Sequence, residues 1–405
     1  MLTTTDLPVR ARTQTGPNLE SLFEEVQKVE RLLMRSDLRA SDRDHIGLLA
    51  LAPLVGETLH QLEVLSGRSL DGLYRALKDE PLQTADVLSR VSILIFAGHL
   101  LHYKAAKRPD QKTRRRPAII GDDSLVPHSW ESGQEGIKIL KDVVSKAYVK
   151  AHNMVVIYAV IGEGTISYPL FLQLHNPQDK GVTKVSVFAQ AIQQLQDRLE
   201  GWGLSLEGID LVFDHWYLKP GIVNTAKQLE MVTTTTLAKN ERVTLDNGKN
   251  VQLDYFLYHL VQTPPHHDRR LGKLGHYWRF FATHKILGRV LIIVRRREKR
   301  KGKYFAYDFL VTTDLTAKAI TVLRLIQKRW KVEVFFRESK QHLGLAKCFF
   351  HDFHTILLSC RLRALTYLIL MLYRQKLRLP SRKKTIGKIK QRLHQPLLEY
   401  FKQAA

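Results

Sequence analysis

The sequence predicts an α/β protein: a mixed-sheet core that carries a β-rich insertion and follows an all-helical N-terminal segment. Three observations predict it. Up to about residue 106 apolar residues recur at helical spacing, whereas from Ala118 onward short β-branched runs surround a single helical stretch. The runs Met154–Ile161 and Thr165–Leu174 meet at Gly162-Glu163-Gly164, a hairpin signal. Ile326–Gly344 lacks Pro, is rich in helix formers and closes on Gly, so it reads as a helix.

Composition bounds the rest. A chain of 405 residues can bury a sizeable core, and its length fits two or three domains. Lys and Arg number 63 against 39 acids, a net charge of +24 that points to a polyanion, either nucleic acid or an anionic membrane. The longest apolar runs, Val91–Leu101 and Ala364–Tyr373, are too short to span a bilayer, and no secretory signal opens the sequence. Two cysteines, Cys348 and Cys360, make neither a disulfide framework nor a zinc site. The expectation is a reduced, cytoplasmic, nucleoid-associated protein with no membrane partner.

Taken in order, residues 1–106 read as a helical DNA-binding domain. Leu22, Phe23, Val26, Val29, Leu32 and Leu33 form one apolar face. Thr58–Lys78 reads as helix, turn, helix, with Gly67 in the turn and Ser69 as cap. That pattern fits a DNA-reading pair, with Arg68 and Arg75 near phosphates, and equally an ordinary helical hairpin. Residues 107–117 are a basic linker. The first part of the core, 118–232, holds the strand Ala118–Gly121 running into Asp122, the hairpin, a helix over Lys184–Leu199 capped by Thr183, and the strand Ile209–Phe213 ended by Asp214. Residues 233–313, rich in β-branched and aromatic residues, form the insertion. Its basic hairpin tip, Arg295–Lys303, offers Arg295 and Arg296 to phosphates. His266-His267 reads as a loop pair rather than a metal site. Residues 314–375 complete the core, and 376–405 form a basic tail. Arg374–Arg392 carries nine Lys or Arg and no acid, so Arg382, Lys383 and Lys384 belong either to a solvated tail or to a DNA arm, the arm being preferred.

The charges then narrow the chemistry. At about 3.6 residues per turn, Arg329, Glu333 and Lys340 share one stripe of their helix. Asp122 and Asp214 stand where their strands are expected to run out, the place where open α/β sheets bind ligands. Spacing alone gives acids near a basic helix.

These residues resemble the bacterial insertion-sequence transposases with a DDE triad and the signature Tyr-x2-Arg-x3-Glu-x6-Lys, of the ribonuclease-H-like superfamily. Arg329, Glu333 and Lys340 match position by position, while Ile326 stands at the Tyr position. Asp122-Asp123-Ser124 looks like the group's Asp-x-Thr, and Asp214-His215-Trp216-Tyr217 like its Asp-Ser-Trp-Tyr. Asp123 is the alternative to Asp122, which stands two residues before the hydroxyl as in the group. The resemblance implies a ribonuclease-H-like core in which Asp122, Asp214 and Glu333 are the catalytic, metal-binding acids and hold two Mg²⁺ or Mn²⁺ ions. It implies that Arg329 and Lys340 hold double-stranded DNA at transposon ends and target, and that a homodimer pairs the ends. A metal nuclease of the same fold, or a non-catalytic, domesticated DNA-binding protein, would share part of this pattern.

Overall fold

The computed structural model describes residues 19–33, 40–55, 75–78, 86–108, 116–128, 133–142, 145–164, 166–176, 178–268, 276–300, 304–345, 347, 350–376 and 385–404. Arg68 with the Gly67 turn, and Arg382, Lys383 and Lys384, lie outside the described residues.

Three helices come first: α1 (Leu19–Leu33), α2 (Ala40–Val55) and α3 (Val87–Lys104). α1 buries Leu22, Phe23, Val26, Val29 and Leu33, the stripe its apolar spacing predicts. Next come β1 (Pro117–Pro127), β2 (Lys138–Lys141), β3 (Tyr148–Ile161) and β4 (Ile166–His175), then α4 (Lys184–Glu200) and β5 (Asp210–Phe213). A 3-10 turn (His215–Tyr217), α5 (Pro220–Gln228) and β6 (Val232–Leu237) follow. β3 and β4 pair antiparallel across the predicted hairpin, where Gly162 and Gly164 both take positive φ. β1 pairs antiparallel with β3 on one side and parallel with β5 on the other, and β6 continues parallel to β5. Thr183 and Ser186 form a reciprocal capping box at the start of α4, and Gly201 follows its end.

The remaining strands are β7 (Arg242–Leu245), β8 (Asn250–Gln252), β9 (His266–His267), β10 (His276–His284), β11 (Gly288–Arg300) and β12 (Tyr304–Thr312), with α6 (Leu253–Leu260) among them. β12 pairs antiparallel with β6, so core and insertion form one twelve-stranded mixed sheet. The chain closes with α7 (Ala319–His342), α8 (Phe353–Lys376) and α9 (Ile386–Ala404).

The structure departs from the sequence reading in four places. β1 does not end at Asp122 but runs on to Pro127, because its pairing with β3 continues after its pairing with β5 stops at Gly121–Phe213. Leu253–Leu260, read as strand from its aromatic content, is a helix that exposes Tyr255 and Tyr258. Arg295 and Arg296 lie within β11 rather than at a hairpin tip. The C-terminal segment is neither tail nor arm over 386–404. Ile386, Ile389, Leu393 and Leu397 recur at three- and four-residue spacing and are fully buried as the inner stripe of α9. α8, 24 residues long and apolar enough in composition to cross a bilayer, has 94% of its apolar window buried inside the protein, which accounts for that composition.

The described N-terminal helices are built into this body. α1 and α2 pack on α8 and α9, and α3 packs on β4 and α8. Thr366 of α8 donates to the Ala50 carbonyl, Lys376 bonds Glu24 and Glu25, and the Phe23 and Tyr400 rings lie 4.8 Å apart.

Candidate active site

The site begins with the alternation of side chains along β1. In a strand, successive residues face opposite sides of the sheet. Gly121 and Asp123 face α4: a Cβ on Gly121 would fall 1.6 Å from the Phe188 ring, and Asp123 accepts from Lys184 of α4 at 3.0 Å. Asp122 and Ser124 face α7, where Arg329 and Lys340 meet them. β5 repeats the pattern in register. Phe213, partner of Gly121, packs its ring on Phe188, so Asp214, the next residue, belongs to the α7 side.

α7 supplies the facing wall. Arg329 Nη1 donates to Asp122 Oδ2 at 2.9 Å, and its Nη2 pairs with Glu333 Oε1 at 2.8 Å. One guanidinium therefore joins the acids of β1 and α7. Asp214, Thr236, Arg295, Ile326, Gln327, Arg329, Trp330 and Glu333 line a cleft of about 410 Å³. Asp122 lies behind Arg329 with only 14% of its side chain exposed. Asp214 receives every described bond on one oxygen: Oδ1 accepts from His215 N at 2.6 Å, from His215 Nδ1 at 2.7 Å and from Thr236 Oγ1 at 3.5 Å.

Burial governs the electrostatics. Desolvation pushes the Asp122 carboxyl up to about 6, with Arg329 opposing the shift and Asp123 and Glu333 adding to it. Lys340 is drawn below its ordinary range, chiefly by burial. Its Nζ donates to Ser124 Oγ at 2.8 Å and to the Leu125 carbonyl at 2.5 Å. Asp123 is fully engaged elsewhere, accepting from Asn153 at 3.0 Å and Tyr217 at 2.8 Å besides Lys184.

The predicted residues thus divide. Asp214, Glu333, Arg329 and Arg295 line the cleft, Asp122 lies behind Arg329, and Lys340 meets the same face of β1 further along. Arg295 pairs with Asp308 across β11 and β12. Arg296 points to the other face of the strand, its guanidinium 4.6 Å from the Phe305 ring centroid. Arg75, exposed on a helical turn over 75–78, is not part of the cleft wall. Among the described residues no three His, Cys, Asp or Glu side chains are gathered closely enough to hold a metal ion as they stand; Arg329 occupies the space between two of the three acids. The donor set is nevertheless all carboxylate oxygen, which suits Mg²⁺ or Mn²⁺.

Sequence reading passed over Thr236 and Trp330. Trp330 is 56% exposed at the cleft. Its signal was its place one turn after Ile326 and beside Arg329. Thr236 carried no local signal, since only the β5–β6 register, with Val212 opposite Thr234, brings it level with Asp214.

Residues 168–369 match the family described as transposase DDE domain. That segment contains Asp214, Arg329, Glu333 and Lys340 and begins downstream of Asp122. Among solved structures the chain is similar to the piggyBac transposase in its cryo-EM synaptic complex with hairpin DNA, at 11% identity and a TM-score of 0.45, over 95% of this chain and 78% of that one. No curated protein sequence matches the chain. Over residues 168–369, just under half of the chain, the sequence is thus similar to the transposase DDE domain family.

Proposed function

We propose that this protein is an insertion-sequence transposase that cuts and joins DNA at the ends of its element. The observation that carries the reading is that Arg329 joins Asp122 of β1 to Glu333 of α7, while Asp214, at the end of β5, lines one cleft with Arg329 and Glu333. The strand arrangement around them, β4–β3–β1–β5–β6 with the last two parallel to β1, suits a ribonuclease-H-like core. Asp122, Asp214 and Glu333 would hold two Mg²⁺ or Mn²⁺ ions, which when bound supply Lewis-acid activation of the attacking oxygen and stabilisation of the leaving one.

The chain's own residues do the positioning. His215 and Thr236 fix one oxygen of Asp214, and no described bond engages the other. Arg329 and Lys340 carry the positive charge that receives the scissile phosphates, and Arg295 adds to it from β11. Water oxygen bonds to phosphorus as the 3′-oxygen leaves, and the freed 3′-hydroxyl then attacks target DNA in the same sense. Pairing of two element ends calls for a homodimer.

The test is Mg²⁺-dependent cleavage and strand transfer on a duplex bearing the element's end, run beside a gel-shift series over salt. Asp122→Asn, Asp214→Asn and Glu333→Gln should each abolish cleavage while DNA binding persists. Cleavage without strand transfer in the unaltered protein would instead identify a nuclease, and cleavage retained by Glu333→Gln would remove the third acid from the assignment.

A further inference from the structure

Arg329 holds two acids at once, and that contact has its own chemical consequence. Its two terminal nitrogens are spent on Asp122 at 2.9 Å and Glu333 at 2.8 Å, from elements more than two hundred residues apart in sequence. Two carboxylates brought together in a partly buried place need a cation, and here the chain provides one itself. The same oxygens are the donors a divalent ion would require. A guanidinium and an ion cannot use them together, so binding of one displaces the other. Arg329 also lines the open cleft, with 27% of its side chain exposed, and guanidinium pairs with phosphate as readily as with carboxylate.

We infer that Arg329 is an internal counter-ion that excludes divalent metal from Asp122 and Glu333 until a DNA phosphate in the cleft draws its guanidinium away. The inference rests on the reading of Asp122, Asp214 and Glu333 as metal-holding acids. It makes metal uptake follow DNA uptake, so the free protein carries an inactive centre. It also gives Arg329 two successive partners, carboxylate and then phosphate.

Mn²⁺ uptake, followed by the electron paramagnetic resonance of the free ion, tests this without any reaction being measured. The full chain is titrated alone and with a saturating short duplex of mixed sequence. The unaltered protein alone should take up Mn²⁺ weakly, and the duplex should tighten uptake by about tenfold or more, the scale set by removing a close ion pair from a partly buried site. Arg329→Gln should bind Mn²⁺ without DNA at least about tenfold more tightly than the unaltered protein, and the duplex should add little. Arg324→Gln removes an equal charge from an exposed place on the same helix, where its partner is Glu163 rather than the acids, and should leave the dependence on duplex in place. If Arg324→Gln and Arg329→Gln tighten uptake equally, the effect is general helix charge and the counter-ion role is overturned. It is overturned equally if the unaltered protein and Arg329→Gln bind Mn²⁺ alike with and without duplex. Absence of uptake by every form, in both conditions, would bring down the metal reading of the acids and this inference with it.

Discussion

Lys340, two turns beyond Glu333 on α7, donates at 2.8 Å to Ser124, two residues beyond Asp122 on β1. With the Arg329–Asp122 pair, it fastens α7 to β1 at two points, eleven residues apart on the helix and two residues apart on the strand. Helix and strand each present an acid or hydroxyl to a cation, and the acids are thereby aligned.

Lys340→Ala should therefore loosen α7 as well as remove a phosphate partner. We expect a stability loss of roughly 1 kcal/mol, the scale of a partly buried charged hydrogen bond. Hydrogen exchange should show faster opening of the C-terminal half of α7. Unchanged exchange there would reduce Lys340 to a surface charge.

Asp122 and Asp123 are expected to fail differently. Asp123→Asn weakens the bonds from Lys184, Tyr217 and Asn153 and should lower stability by about 1–3 kcal/mol. Asp122→Asn should leave the fold intact and remove cleavage. Thermal melting beside the cleavage assay separates them, and the reverse outcome would exchange the two assignments.

Asp122 also fixes a pH dependence in the metal-free protein. Its folded carboxyl titrates at about 6 against 3.8 for the free group, so between these values the folded state holds a proton that the unfolded state has released. Stability then falls as pH rises through this window, and the penalty is fully present above it. Asp122→Asn should be the more stable protein at neutral pH by on the order of 2 kcal/mol, with the gap closing below about pH 4. Denaturant melts at a series of pH values check the sign; a constant gap would show that burial is not its cause.

Gly121→Ala should be costly out of proportion to one methyl group. The Phe188 ring occupies the position of the missing Cβ, so overpacking of roughly 1–3 kcal/mol or more is expected. Combining it with Phe188→Leu should recover part of the loss. Additive losses in the double variant would mean the two sites do not touch.

Much of the core was legible because its signals are local. The Gly162–Gly164 hairpin, the Thr183 cap and the helix closing at Gly344 each depend on a few neighbouring residues. The candidate site was legible through motif spacing, but its contacts were not. Which of Asp122 and Asp123 meets α7 depends on sheet alternation carried in from Phe188, and Thr236 reaches Asp214 only through parallel register. α9 was misread although its stripe is visible: the density of Lys and Arg around Ile386, Ile389, Leu393 and Leu397 outweighed their spacing. α6 was misread because Tyr and Phe favour strands, while a run of eight residues carries too little periodicity to decide.

The joining of α1 and α2 to α8 and α9 has a bearing on how the chain is made. Thr366 bonds Ala50 across 316 residues, His394 bonds Leu54 across 340, and Lys376 bonds Glu24 across 352. During synthesis the helices bearing Leu22, Phe23 and Val26 leave the ribosome long before the surfaces that cover them exist. At about 5–20 residues per second they wait on the order of tens of seconds with apolar faces bare. Burial of these faces thus awaits α8 and α9, and a nascent chain halted before α8 leaves the apolar stripe of α1 uncovered.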